Sequence, residues 1–157
     1  MIRGISFIIP NEYGKWLFNI LKPIEVENYD WFIQDNCEIY EIKNKSLENQ
    51  LFSTESNFME GTKIKELIQD KQYYVIFAEM KAYLNGERLN QNFKTYDEFL
   101  NSNCELLFLI ADSKYTRIYC KDEIKLKKLF LNAESLNLND IQYLDDKNDL
   151  DTYLTLG

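Results

Sequence analysis

The sequence predicts an α+β domain, a mostly antiparallel sheet of hairpins with helices packed on it, and three observations carry that prediction. Apolar runs of strand length recur with turn residues between them. Short stretches with a 3.6-residue apolar stripe, several behind a recognisable cap, alternate with those runs. No Pro-, Gly- or Ser-rich linker divides the chain, so its 157 residues are expected to share one core. Hydrophobic residues at 45% and aromatics at 15% supply that core, and a domain of this length buries about 68–70% of the surface its unfolded chain exposes.

From the amino terminus, residues 2–9 read as a strand. Pro10 and Pro23 then bracket a helix in which Tyr13, Trp16, Leu17, Ile20 and Leu21 form one apolar stripe, with Asn11 as its natural cap. Residues 29–33 and 38–42 alternate like strands, and Gln34-Asp35-Asn36 between them supplies turn chemistry, so the two are expected to pair as a hairpin. The polar stretch 43–60 is expected to hold a short helix around residues 47–52. Thr62 should cap the next helix, with Ile64, Leu67 and Ile68 pointing inward.

Residues 73–84 form the longest strand candidate. Tyr74, Ile76, Ala78, Met80, Ala82 and Leu84 make one apolar face, while the other turns polar after Phe77 at Glu79 and Lys81, so the first half is expected to be buried on both sides. Asn85-Gly86 ends it. Thr95-Tyr96-Asp97-Glu98 is a capping box, since the hydroxyl and the carboxylate can each satisfy a backbone donor at a helix start; Phe99 and Leu100 should anchor that helix. Residues 105–111 and 115–121 make the clearest hairpin, around Asp112-Ser113-Lys114. A helix over residues 122–133 follows, with Ile124, Leu126, Leu129 and Phe130 inward, and residues 141–144 and 152–156 alternate like a closing strand pair. Strand, helix and hairpin thus occur twice, at 2–42 and 73–121. The order fits an internal β-α-β-β duplication, against which stands chance similarity in a chain rich in Ile, Asn, Asp and Tyr.

Charge excludes some functions. Eighteen basic residues against 26 acidic ones leave a net charge of −8, the wrong sign for neutralising phosphates or coating an anionic membrane. Neither nucleic acid nor a membrane is expected as a partner. The apolar run at 5–9, interrupted by Ser6, is too short for a signal-peptide core, and the longest uninterrupted one, 106–111, is far shorter than a membrane span. A cytoplasmic location follows as the expectation. Cys37, Cys104 and Cys120 are odd in number and lack C-x-x-C spacing, so free buried thiols are expected; in the hairpin register, Cys104 and Cys120 should point to opposite faces.

The chain contains no histidine, which removes Ser-His-Asp and Cys-His catalysis and histidine metal sites. Its isolated glycines build neither a P-loop nor a dinucleotide fingerprint. Glu79-x-Lys81 with Asp70 upstream resembles a metal-dependent nuclease site, but the chain carries five acid-x-Lys triplets where about two or three arise by chance, so the spacing is cheap. The run Asp145-Asp146-Lys147-Asn148-Asp149-Leu150-Asp151 suggests a calcium loop but lacks its glycine, and a solvated acidic turn is the simpler reading. No catalytic residue, metal ligand or cofactor is assigned. Tyr115, Arg117, Tyr119 and Lys121 should share one strand face, a ladder able to stack a ligand, although with this net charge a plain solvent-facing surface is the simpler reading.

With residues 4–7, 10–14, 21–24, 73–84, 95–104 and 112–122 assembled, the chain resembles a family of small uncharacterised Firmicute proteins, the domain of unknown function 2691. Tyr115-Thr116-Arg117-Ile118-Tyr119-Cys120-Lys121-Asp122 is the most specific part, and Asp149-Leu150-Asp151-Thr152 departs from the Asp-x-Arg-Thr of that family. The resemblance implies a cytoplasmic protein of a low-GC Gram-positive bacterium and carries over no activity.

The expected function is therefore non-catalytic binding, with an acidic surface presented to a basic protein partner as immunity-type proteins do; a histidine-free enzyme and a small-molecule-binding module are the rivals. Residues 25–41 hold six carboxylates and no base, and residues 134–151 hold six with Lys147 alone; either the two stretches share one negative face that docks the partner, or each is a soluble loop and strand edge kept charged against edge-to-edge aggregation. The candidate binding residues are Asp145, Asp146 and Asp149 from the second stretch, and Tyr115, Arg117 and Tyr119 from the ladder.

Overall fold

A computed structural model describes residues 1–52, 56–87, 92–150 and 153–154. Among them, nine strands form a mostly antiparallel sheet: β1 (Ile2–Ile8), β2 (Tyr29–Ile33), β3 (Glu38–Lys43), β4 (Ser46–Gln50), β5 (Phe58–Glu60), β6 (Tyr73–Leu84), β7 (Cys104–Ala111), β8 (Tyr115–Cys120) and β9 (Asn139–Asp145). The order across the sheet is β4-β3-β6-β7-β8-β1-β9, with β2 on β6 and β5 on β2. Helices α1 (Trp16–Leu21), α2 (Gly61–Asp70) and α4 (Glu123–Ser135) cover one face, where Leu17, Ile20, Ile64, Ile68, Leu126 and Leu129 join the strand residues Ile5, Met80, Phe108 and Ile118 in the main core. The short helix α3 (Tyr96–Asn101) lies against the other face. This is the α+β architecture expected. Among the described residues no helix is long and apolar enough to cross a membrane.

The longest strand organises the sheet. At 12 residues β6 is long enough for β3 to pair with its first half and β2 with its second, end to end along one edge. The expected β2–β3 hairpin is therefore not formed. Between the two strands Gln34 donates to the Glu79 carbonyl (3.0 Å), which keeps the connection on β6. The halves of the chain differ accordingly, because β7 and β8 do pair with each other, through Asp112 and Ser113 at φ 53° and 65°, the left-handed pair that suits a tight hairpin. A bulge at Ile76 leaves Val75 opposite Ile39 and Phe77 opposite Glu38, so the side-chain alternation slips by one. Tyr73 and Val75 face the main core with Ala78 and Met80, and the half of β6 buried on both faces is the second, not the first.

Other expectations are corrected locally. The stretch before α1 is extended because Gly14 exchanges both backbone bonds with Tyr73 at 3.0 Å; α1 begins only at Trp16, Asn11 is not its cap, and Tyr13 is exposed. Residues 47–52 begin as strand β4, since Asn44 and Lys45 both take positive φ and close a hairpin with β3. Helix α2 starts at Gly61, one residue before Thr62, directly after β5; a Cβ on Gly61 would stand 2.2 Å from the Val26 carbonyl oxygen, so glycine is what admits this close approach. Thr95 caps α3 as expected by accepting from the Glu98 amide (3.2 Å), but Leu100 is exposed, as is Ile124 on α4. Strand β9 pairs with β1; the other strand of the expected closing pair, residues 152–156, lies mostly outside the described residues.

Candidate functional site

Chemistry gathers on the face opposite the three packed helices. The register aligns two rows of side chains there: Glu79, Leu109, Arg117, Ser6 and Gln142 in one, and Lys81, Leu107, Tyr119, Gly4 and Leu144 in the next. The second row and the Glu79 end of the first are covered by α3 and neighbouring segments, where Phe93, Phe99 and Leu154 close a second apolar cluster. Tyr115, Ser6 and Gln142 lie beyond this cover.

Under the cover sit groups that are costly to bury. Glu79 and Lys81 are 1% and 2% exposed, and ions at such depth persist only with compensating contacts. Glu79 accepts from the Asn36 amide at 3.2 Å. The Lys81 ammonium lies 4.5 Å from the Phe93 ring centroid and 5.8 Å from that of Phe32, a cation–π setting. Burial draws the Lys81 pKa down, and Glu79 partly opposes the shift. Sequence reasoning dismissed these two residues as a chance triplet; the signal that could have found them is two successive ionic side chains on one face of the strand that was otherwise the most apolar.

A buried relay runs beside them. Arg117 Nη1 donates to the Tyr119 hydroxyl at 3.1 Å, and that hydroxyl lies 3.0 and 3.1 Å from the two Asp149 oxygens. A phenol has one proton, so with Arg117 donating to its oxygen, its own proton goes to the carboxylate. Arg3 completes the group at 3.8 Å from Asp149 while stacking 4.5 Å from the Tyr96 ring centroid. Burial, ahead of the neighbouring charges, raises the Tyr119 pKa and keeps the hydroxyl protonated.

The six candidate residues thus part company. Tyr119 and Asp149 belong to the relay and are 0% and 7% exposed, so neither is the surface contact expected, because α3 folds Tyr96 over Tyr119 and Arg3 draws Asp149 inward. Arg117 is half-buried, and Tyr115, on the same face, is exposed. Asp145 accepts from the amides of Lys147 and Asn148 (2.9 and 3.1 Å), which lowers its pKa and folds its own turn. Asp146 is exposed. The calcium-loop reading finds the Asp145 carboxylate spent on the turn, and Asp151 lies outside the described residues. The strands of the two acidic stretches stand apart: β2 and β3 lie on one side of the sheet and β9 ends the other, with β6, β7, β8 and β1 between. In the first stretch Glu27 pairs with Lys65, Glu41 with Lys71 and Lys43, and Asp30 accepts from the Gly86 amide.

All three thiols are free and buried, with Cys104 in the second cluster and Cys120 in the main core. Burial pushes Cys37 and Cys120 up to about 11 and Cys104 up to about 12. At neutral pH they are thiols, not activated thiolates.

Where the cover ends, a cleft of about 260 Å³ opens on the same face, lined by Ser6, Ile8, Leu109, Tyr115, Arg117 and Asp140 among others. Its outer wall is bent by a bulge, since β1 and β9 shift register between Ser6 and Ile8 and Asp140 sits at φ 53°. Arg117 therefore belongs to both regions, reaching the relay at one end and lining the cleft.

The family model for a protein of unknown function, DUF2691, matches residues 2–155, and so takes in every strand, the relay and the cleft. The chain belongs to this family. The DUF2691 chain is also 42% identical to a Bacillus subtilis (strain 168) protein named uncharacterized protein YncE, over 99% of this chain and 100% of the relative. No solved structure gives a significant match.

Proposed function

We infer that this DUF2691 protein is a non-catalytic binding protein, and that its binding surface is the cleft between Tyr115, Arg117 and the β1–β9 bulge. The observation that carries the reading is the placement of Arg117. Arg117 lines the cleft while its guanidinium is held by a hydroxyl that is itself bonded to a buried carboxylate, so this wall of the cleft is fixed before any ligand arrives. Such preorganisation favours recognition, because little rotamer entropy remains to be lost on binding.

The basic-partner reading contracts to the sheet edge, where Asp140 and Asp146 remain exposed and the chain's net charge of −8 would steer a cationic segment. Backbone-amide NMR tests both readings. The whole chain is titrated in turn with benzoate and with a lysine-rich peptide. Saturating benzoate shifts centred on residues 6–8, 109–111 and 115–117 support the cleft, whereas salt-sensitive peptide shifts confined to residues 139–147 favour the edge. Benzoate shifts scattered over the molecule, or none, defeat the cleft reading.

A further inference from the structure

We propose that a second, separate site lies where the chain leaves β2 for β3, a small acceptor-rich pocket that takes a primary ammonium group, whether of a free amine or of a lysine side chain. The site is independent of the cleft, since β6 and β7 stand between β2 and β3 on one side and β8 on the other.

The argument begins with one oxygen. Gln34 donates through its backbone amide to the Glu79 carbonyl at 3.0 Å, and its own carbonyl accepts from the Cys37 amide at 3.1 Å. Both backbone groups of this residue are therefore bonded, and its position is fixed. Its side-chain Oε1 is nevertheless buried and finds no hydrogen-bond donor among the described residues. A buried acceptor without a partner carries a desolvation cost that an apolar side chain would avoid, so packing alone gives no reason for glutamine here. Gln34 helps to line a pocket of about 70 Å³, together with Asp35, Cys37, Ser56 and Asn57.

The other lining groups set the chemistry. Asn57 places one side-chain hydrogen on the Ile33 carbonyl at 2.9 Å and the other on Asp35 Oδ1 at 2.8 Å, so both its donors are engaged. The Cys37 thiol donates to the Glu79 carbonyl at 3.4 Å while its sulfur accepts from the Glu79 amide at 3.2 Å. Burial pushes that thiol up to about 11, and it stays a neutral wall. Gln34 Oε1 and the second oxygen of Asp35 remain as acceptors. Asp35, exposed at the rim, repels an anion and attracts a cation, and the net charge of −8 strengthens that bias. A primary ammonium brings three N–H donors on a compact charge and can serve two acceptors at once. The pocket admits such a head with its first carbons, for which the buried side chains of Ile33 and Phe52 give an apolar wall. A metal ion suits it less, because among the described residues no three acidic or thiol groups gather to hold one.

Amide NMR on the whole chain tests the site with methylammonium, tetramethylammonium and potassium chlorides at one ionic strength. Methylammonium should give saturating shifts centred on residues 33–37 and 56–57. Tetramethylammonium, with the same charge and no N–H, should bind about tenfold more weakly or less, and so should potassium. Asp35→Asn keeps an oxygen for Asn57, and Gln34→Met keeps the side-chain length while removing the unpartnered oxygen. Each should weaken methylammonium by about fivefold or more. Gln34→Met should unfold at the parent's urea midpoint or above it, since the fold loses no bond. Nα-acetyl-lysine methylamide identifies the source: affinity above that of methylammonium indicates the lysine side chain of a polypeptide, and lower affinity a free amine. An absence of saturating shifts, which leaves the oxygen to water alone, overturns the assignment. Equal binding of the three cations does the same, as does methylammonium binding that survives both substitutions. A lower midpoint for Gln34→Met would show that the oxygen serves the fold, and that result too overturns the site.

Discussion

One sheet buries its two faces by different chemistry. On the helix side, Met80, Phe108, Ile110 and Ile118 pack among the aliphatic residues of α1, α2 and α4. On the other side the same strands carry Glu79, Lys81, Arg117 and Tyr119, set among Phe93, Phe99 and Leu107 and tied to Asp149 and Arg3. The first face is specified by volume: area leaves water, direction matters little, and the penalty for error is a cavity. The second is specified by direction, because each ion or hydroxyl needs a partner at hydrogen-bond distance and a lost partner leaves a buried group unsatisfied. An apolar face would have stabilised the fold as well, so the polar chain beside the cleft is the feature that stability alone leaves unexplained.

The largest expected effect lies on the helix side. Phe108 is 0% exposed, and Phe108→Ala should cost about 3–5 kcal/mol by cavity formation. Urea unfolding measures it; a loss under about 1 kcal/mol would break the comparison by showing that this face is not specified by volume. Across the sheet, Tyr119→Phe keeps the ring and removes one oxygen, and it should cost about 1–3 kcal/mol, because Asp149 and Arg117 both lose that contact in a buried setting. A neutral result in the same assay would mean that the relay does not hold the second face together.

The smallest effect is one of pH, and it involves both faces. Unfolded thiols titrate near 9.0, whereas Cys37 and Cys120 hold their protons to about 11 and Cys104 to about 12. Between these limits the folded chain keeps protons that the unfolded chain has released. The thiols' contribution is therefore complete below about pH 9 and lost as pH rises through the folded values. Lys81, with its lowered pKa, works in the opposite direction. The urea midpoint should drop above about pH 9, and less steeply in Cys37→Ala. At neutral pH iodoacetamide should spare all three thiols in the folded protein and modify all three in urea. Rapid labelling of the native chain would contradict their burial.

What the sequence disclosed follows from the range of the interactions concerned. The β7–β8 hairpin was legible because Asp112-Ser113-Lys114 and its flanking strands are local, and so were the Thr95 cap and the ends of β6. The partners of β2 and β3 were not, since both depend on β6, far downstream in the sequence, and turn chemistry at Gln34-Asp35-Asn36 cannot tell a hairpin from a bend along β6. The site was half legible. Tyr115 and Arg117 were singled out correctly as one face of β8, yet whether Tyr119 meets solvent is decided by α3 and Tyr96, which reach it only in the folded chain. Asp149 reads as one more acid in an acidic tail until Arg3, from the opposite terminus, is brought to it. For Glu79 and Lys81 the pattern was visible and the chemistry was not, because burial is a property of their cover.

Strand β1 lies between β8 and β9, with Ile8 opposite Tyr115 and Ile5 opposite both Ile118 and Tyr143. During synthesis Ile2–Ile8 is made well before either of its neighbours, Tyr115–Cys120 and Asn139–Asp145. Until those strands are made Ile5 and Phe7 lack the neighbours they pack beside, and both edges of the strand are open to other chains. The sheet therefore cannot close from the amino terminus onward. It waits for β8 and β9, and until then Ile2–Ile8 is an unpaired apolar strand exposed to wrong partners.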